Sequence, residues 1–121
     1  MNCRVVVEAG VPVYDVETKE EAVQISISKV GEMINPDLNY VEIDARNGDY
    51  ESAAFLVADE SLVALELEMK VFNVEQEEHA ARVARKEIGQ RLENIPLTVV
   101  EIEVLEEDDT VEDADEDTNE E

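Results

Sequence analysis

VYDVETKEEAVQISISKVGEMI, residues 13–34, returns 58 positions later as VFNVEQEEHAARVARKEIGQRL, residues 71–92. The two stretches align without a gap. The match continues upstream, where residues 5–11 align with 63–69, and downstream, where 38–43 align with 97–102 after a slip of one residue. Self-similarity at a fixed spacing indicates two copies of one supersecondary unit.

Each copy begins with a predicted strand and continues into a predicted helix. Apolar residues alternate with polar ones in Cys3–Tyr14 and Leu62–Phe72, as in a strand with one buried face. Apolar residues with helical spacing follow both strands. The predicted buried stripes are Val23, Ile27, Val30 and Ile34 in the first helix, and Ala81, Ala84, Ile88 and Leu92 in the second. Asp15, Thr18 and Asn73 are candidate helix caps.

A closing strand is predicted in each copy. Pro36 and Pro96 end the helices, because a residue that precedes proline avoids the helical region. Tyr40–Ala45 and Leu97–Leu105 follow as strands, with Val100, Ile102 and Val104 facing inward. Two βαβ units with both helices on one face of an antiparallel sheet predict an α+β fold, the ferredoxin-like split βαβ sandwich. Repeat one covers 3–46 and repeat two covers 61–105.

Glycines occupy equivalent positions in the two predicted helices, at Gly31 and Gly89. Glycine inside a helix costs about 1 kcal/mol relative to alanine. The pair therefore indicates close packing of both helices against a neighbour, or else a remnant of the duplication.

An insertion, residues 47–60, separates the repeats. Asn47-Gly48-Asp49 predicts a turn, and Ala53–Val57 predicts a short extra strand. Because only this segment breaks the duplication, we expect it to carry specificity, with Tyr50 as a candidate binding residue. The alternative is a plain hairpin that only widens the sheet.

Charge sets the expected environment. The 121 residues carry a formal net charge of −24, and 11 of the 33 acidic residues lie in 106–121, which we predict to be a disordered acidic tail. The two alternatives for this tail are a role in solubility and a role in binding basic partners. Residues 1–105 form the predicted domain and still carry −13. Self-repulsion of this size is screened at molar salt, so the sequence favours a halophilic archaeal source.

The expected location is the cytoplasm. The chain shows no leader and no apolar run near the roughly 20 residues of a membrane span. A single cysteine, Cys3, suits a reducing compartment.

The sequence resembles an archaeal family known as domain of unknown function 555. The resemblance covers residues 5–105, and its most specific part is LEMKVFN, residues 67–73, followed by EEHA, residues 77–80. It implies that many members carry a CPxCG-like cysteine pair and a zinc site in the segment equivalent to residues 45–52. This chain has ARNGDYES there, without cysteine. The resemblance implies no activity.

Residue types give little support to catalysis. Cys3 and His79 are the only cysteine and histidine, whereas a zinc site needs three or four such ligands. No glycine-rich phosphate loop occurs. We therefore expect no enzyme activity, no catalytic residue, no metal and no cofactor.

A basic cluster on the second predicted helix is the main candidate site. Arg82, Arg85 and Lys86, with His79 beside them, could bind phosphate or an acidic partner. The alternative is a solvated face in which Glu78 pairs with Arg82 and Glu87 with Arg91, each pair contributing about 0.2–0.5 kcal/mol.

The preferred interpretation is a non-catalytic binding or regulatory module. We expect a homodimer, because the sheet face opposite the helices is left open and contains apolar residues: Val6, Tyr14, Ala64 and Phe72. An unidentified protein partner is also expected, and no membrane contact. The alternative function is nucleic-acid or phosphate binding by the basic cluster.

Overall fold

A long central strand organises the molecule in the computed structural model, which describes residues 1–34 and 40–105. The elements follow in chain order: β1 (Asn2–Tyr14), α1 (Lys19–Ile34), β2 (Glu42–Ala45), a 3-10 turn (Arg46–Gly48), α2 (Tyr50–Ala53), β3 (Ala54–Val57), β4 (Glu60–Val71), α3 (Glu77–Arg91) and β5 (Leu97–Leu105).

The five strands form one antiparallel sheet. β1 pairs with β4 from Cys3 opposite Val71 to Tyr14 opposite Glu60, and β5 pairs with the other edge of β1. The order is β2-β4-β1-β5. The predicted α+β class is confirmed, and the order is compatible with a ferredoxin-like fold.

The core lies between the sheet and the helices α1 and α3. Alternate residues of β1 and β4 are buried, as the period of two predicts. The helices contribute Ala22, Val23, Ser26, Val30 and Ile34 from α1, and Ala80, Ala84 and Ile88 from α3. Both stripes lie close to their prediction, with two differences: Ile27 is partly buried while Ser26 is buried in α1, and Ala81 is partly buried while Ala80 is buried in α3.

The turns into α1 and α3 correct two of the three candidate caps, Asp15 and Asn73. Thr18 caps α1, where its Oγ1 accepts a hydrogen bond from the Glu21 amide at 3.0 Å. Asn73 does not cap α3, because Gln76 is the N-cap residue and makes no side-chain cap hydrogen bond. Instead Asn73 adopts φ 62°, as Asp15 adopts φ 60°. Asn and Asp tolerate this left-handed conformation better than other non-glycine residues.

The inward face of β5 was predicted incorrectly at one position, Val100. The register with β1 shifts between Val6 opposite Glu101 and Val7 opposite Val99. Val100 falls in this bulge and is exposed. Val104 lies opposite the buried Cys3, on the inward face as predicted, and is 44% exposed near the end of the strand. Leu97 and Val99 pack against the core before the bulge, and Ile102 packs against it after the bulge, as predicted. An extra residue in a bulge moves the following side chains to the other face.

The insertion contains the predicted extra strand and an unpredicted short helix. β3 pairs with Glu60–Val63 of β4, while β2 pairs with Leu65–Glu68 of the same strand. Both short strands therefore occupy one edge of β4, and β3 lengthens that edge rather than adding a further row. α2 precedes β3 and is capped by Asp49, whose side chain accepts a hydrogen bond from the Glu51 amide at 3.1 Å.

Two sequence predictions fall outside the described residues: the end of the first helix at Asn35-Pro36 and the acidic tail 106–121. Within residues 1–34 and 40–105, no helix combines the length and apolar character required to cross a bilayer.

Candidate functional site

The open face of the sheet carries a charged cluster near the start of β1. Arg4 of β1 contacts carboxylates from both neighbouring strands: its Nε lies 3.0 Å from Glu68, and its Nη1 lies 3.0 Å from Glu101 and 3.2 Å from Glu103. The hydrogen bond to Glu101 raises the pKa of the Arg4 guanidinium above its usual value, with smaller contributions from Glu68. Arg4 is therefore a permanent cation that joins β4, β1 and β5.

A second ion pair fixes the insertion to this face. Arg46 Nη1 lies 3.4 Å from a carboxylate oxygen of Glu8, and Arg46 Nη2 donates a 2.6 Å hydrogen bond to the Ser52 carbonyl oxygen. These contacts connect the 3-10 turn, the end of α2 and the centre of β1. The insertion is consequently held by polar contacts in a chain without cysteine at this position.

One end of the open face is apolar. Four large side chains are exposed there by more than half: Tyr14 by 60%, Phe55 by 70%, Val57 by 57% and Leu62 by 55%. Phe55 lies opposite Leu62 across the β3–β4 pairing. With Pro12, Glu60 and Ser61, these side chains line a depression of about 240 Å³. We call these four side chains the apolar patch.

The sequence identified this surface only in part. Tyr14 and Phe72 are exposed as predicted, but Val6 is buried and Ala64 is half-buried. Phe55, Val57 and Leu62 were missed. Leu62 lies beside Tyr14 through the β1–β4 pairing, in which Pro12 is opposite Leu62 and Tyr14 is opposite Glu60. Phe55 and Val57 join them because β3 pairs with the same part of β4.

Phe72 lies at the opposite end of β4 from the apolar patch. It lines a separate concavity of about 740 Å³ with Tyr40, Glu42, Glu68, Met69, Lys70 and Val71. β2 stops opposite Glu68, so the edge of β4 beyond that residue has no strand partner among the described residues.

The predicted basic cluster forms a surface on α3. Arg82, Arg85 and Lys86 are exposed and line a shallow depression of about 520 Å³ with Gly89 and Gln90. Among the described residues, no carboxylate lies within 4.0 Å of the three cations. The predicted Glu78–Arg82 pair is absent from that part of the chain, whereas Arg91 Nη1 does lie 3.3 Å from Glu87.

The other two candidate residues do not join this depression. His79 is exposed on α3 and precedes Arg82 by one turn, but it does not line the depression. Tyr50 is partly buried and packs against the hydrophobic core from α2. α2 packs against α1, β3 and β4, while α3 packs mainly against β5 and β1. Tyr50 and the basic cluster are therefore separate features.

The side chains that could bind a metal ion lie apart. Cys3 is buried in β1 and His79 is exposed on α3. Over residues 1–34 and 40–105, no three or more His, Cys, Asp or Glu side chains are grouped so that they could hold a metal ion.

The family described as "Protein of unknown function (DUF555)" matches residues 3–105. The chain belongs to this family. A UPF0212 protein of Haloarcula marismortui is 69% identical over 114 residues, which cover 89% of this chain and 73% of the relative. A UPF0212 protein of Halobacterium salinarum is 64% identical over 118 residues, 93% of each chain.

Similarity extends to archaea outside these two genera. A UPF0212 protein of Methanocaldococcus jannaschii is 40% identical over 112 residues, covering 87% of this chain and 97% of the relative. No solved structure matches the chain. The resemblance to an archaeal family, inferred from the sequence, is confirmed.

Proposed function

We propose that this chain is a non-catalytic binding module of a high-salt archaeal cytoplasm, and that it self-associates through the apolar patch. The observation that carries this proposal is the exposure of Tyr14, Phe55, Val57 and Leu62 side by side on one sheet face. Contiguous exposed apolar surface of this kind usually marks a contact site. The sole cysteine is buried in β1 and the sole histidine is exposed on α3, which supports a binding role over a catalytic one.

A second copy of the chain is the partner that suits the patch best. Glu60 is the one charged residue among those that line its depression in the described part of the chain. Two copies related by a two-fold axis would bury apolar side chains against each other and bring few charges together. The remaining like-charge repulsion decreases at molar salt, where the Debye length is about 3 Å.

The size of the patch limits the strength of this contact. Stable protein interfaces bury about 800 Å² on each partner, which is more than four side chains provide. We therefore expect a reversible dimer in the micromolar range, which becomes tighter as KCl increases. The unidentified protein partner would compete for the same patch.

Sedimentation equilibrium in 2 M KCl tests this proposal. Phe55→Ser with Leu62→Ser should shift a dimer to monomer. Phe72→Ser is the matched control, because Phe72 is an aromatic of similar exposure, 60%, at the other end of β4. A monomeric wild type across micromolar concentrations, or equal dimerisation by the patch variant, would refute self-association through the patch.

We also infer that the sheet is a ferredoxin-like duplication. Glu8 and Glu66 are equivalent residues of the two sequence repeats, and they lie opposite each other near the middle of the β1–β4 pairing. A two-fold axis relating the copies would pass between them. Asp15 and Asn73, also equivalent, share a left-handed backbone conformation. Both observations support the inferred duplication.

A second candidate function is binding of phosphate-bearing ligands on α3. Its support is the group of three exposed cations, Arg82, Arg85 and Lys86, which have no carboxylate within 4.0 Å among the described residues. Cations grouped on one surface attract phosphate groups. Filter binding of a single-stranded RNA to wild type and to Arg82→Glu with Lys86→Glu tests the nucleic-acid form. Equal binding by both proteins would exclude the cluster.

A further inference from the structure

Gly89 lies within α3 although the fold does not require glycine there. A β-carbon built on Gly89 meets Leu97 Cδ1 at 3.5 Å, which is ordinary van der Waals contact. Its backbone is helical and does not need the left-handed region that favours glycine. Alanine is the better helix former at such a position. The close packing expected from the sequence therefore does not account for Gly89.

The surroundings of Gly89 suggest another reason for the missing side chain. Gly89 lines the α3 depression together with Arg82, Arg85, Lys86 and Gln90. Residues three, four and seven positions apart share one face of a helix, so the three cations and Gly89 form one continuous surface. A glycine at that place lets a ligand approach the helix backbone closely.

The cations suit phosphate groups in particular. Guanidinium presents a planar fork of donors that matches phosphate oxygens, and the lysine ammonium adds a compact charge. The Gln90 side-chain amide provides one further donor. No acidic side chain lines the depression among the described residues.

We propose that the α3 depression binds a small anion with two or more phosphate groups, seated over Gly89 between Arg82, Arg85 and Lys86. This inference rests on the second candidate function and names its ligand class. The depression has a volume of about 520 Å³ and is shallow, so a ligand there contacts the cations on one side and solvent on the other. A domain with a net charge of −13 repels a long polyanion more than a small one, which favours the small ligand over nucleic acid.

Isothermal titration with tripolyphosphate in 0.15 M KCl is the direct test. Gly89→Ala should weaken tripolyphosphate binding at least tenfold while raising the melting temperature by a few degrees, since alanine favours the helix. Gly10→Ala is the matched control. A β-carbon there meets only Leu62 Cδ1 at 3.9 Å on the open sheet face, so binding should change less than twofold.

Charge variants provide a test that does not depend on the glycine. Gln90→Glu places a carboxylate in the depression at an exposed position and should weaken binding at least tenfold. Arg85→Gln with Lys86→Gln should abolish it. Lys19→Gln with Lys29→Gln removes the same charge from α1 and should leave it within about twofold of wild type, because neither lysine lines the depression.

The possible outcomes separate the position of the ligand, its size and phosphate binding itself. If the charge variants lose tripolyphosphate binding but Gly89→Ala binds as tightly as wild type, the ligand does not lie over Gly89. The second candidate function would then still stand. Tighter binding of a 20-nucleotide RNA than of tripolyphosphate, with the same variant dependence, would overturn the small ligand but retain phosphate recognition. No tripolyphosphate or RNA binding by wild type at millimolar concentrations would overturn both.

Discussion

Arg4 is the charged residue whose removal should affect the sheet most. Its guanidinium contacts Glu68, Glu101 and Glu103 at 3.0–3.2 Å, and its side chain is 26% exposed. Arg4→Gln keeps a polar side chain but leaves three carboxylates from two strands without their common cation. Exposed ion pairs contribute about 0.2–1 kcal/mol each. We therefore expect Arg4→Gln to lower the free energy of unfolding by about 1–2 kcal/mol in 0.15 M KCl.

Salt provides the decisive comparison for this variant. At 0.15 M the Debye length is about 8 Å, and at molar salt it is about 3 Å, so the loss should shrink below about 0.5 kcal/mol in 2 M KCl. Urea unfolding followed by circular dichroism measures both values. Lys19→Gln, which removes a single pair with Glu51 at 3.6 Å, is the control and should cost less than about 0.5 kcal/mol. Equal stability of Arg4→Gln and wild type at 0.15 M, or a loss that persists at 2 M, would refute this reasoning.

Three further predictions address charge and the insertion. Raising KCl from 0.15 to 2 M should raise the melting temperature, because a net charge of −24 repels itself; calorimetry showing no salt dependence would contradict this. Truncation after Leu105 should reduce that dependence without abolishing it, since −13 remains, and a complete loss on calorimetry would be inconsistent. Tyr50→Ala should lower the free energy of unfolding by about 1–3 kcal/mol, because Tyr50 packs on the core, yet leave tripolyphosphate affinity unchanged; lost affinity would make Tyr50 a ligand contact.

The architecture was predictable because two independent periodicities agree in each half of the chain. Alternation in residues 3–14 and 62–72 and helical spacing in residues 19–34 and 77–91 define four elements, and short connections leave few ways to arrange them. The α+β class and the antiparallel sheet follow from these patterns.

Local details escaped prediction where pairing or backbone geometry decides them. The bulge at Val100 depends on how β5 aligns with β1, which the alternation inside β5 does not encode. Asn73 has a side chain suited to capping, but the turn requires a positive φ there, and asparagine meets that requirement as well. α2 is too short to show a helical period.

The candidate sites also differ in how far the sequence predicts them. The basic cluster was visible in the sequence because its members share one helix at spacings of three and four residues. The apolar patch was visible only at Tyr14, since Phe55 and Leu62 become neighbours through strand pairing. The position of Gly89 in the second helix was evident from the sequence, but the room for a β-carbon beside Leu97 was not. That room argues against a packing role for the glycine and favours a binding role.

Carbene footprinting of wild type in 2 M KCl, at 1 µM and at 100 µM protein, tests the central proposal most directly. If two copies cover the apolar patch, labelling of Tyr14, Phe55 and Leu62 should fall at the higher concentration, while labelling of the equally exposed Phe72 stays constant. Unchanged labelling of the patch at both concentrations, or protection confined to Phe72, would contradict the proposal.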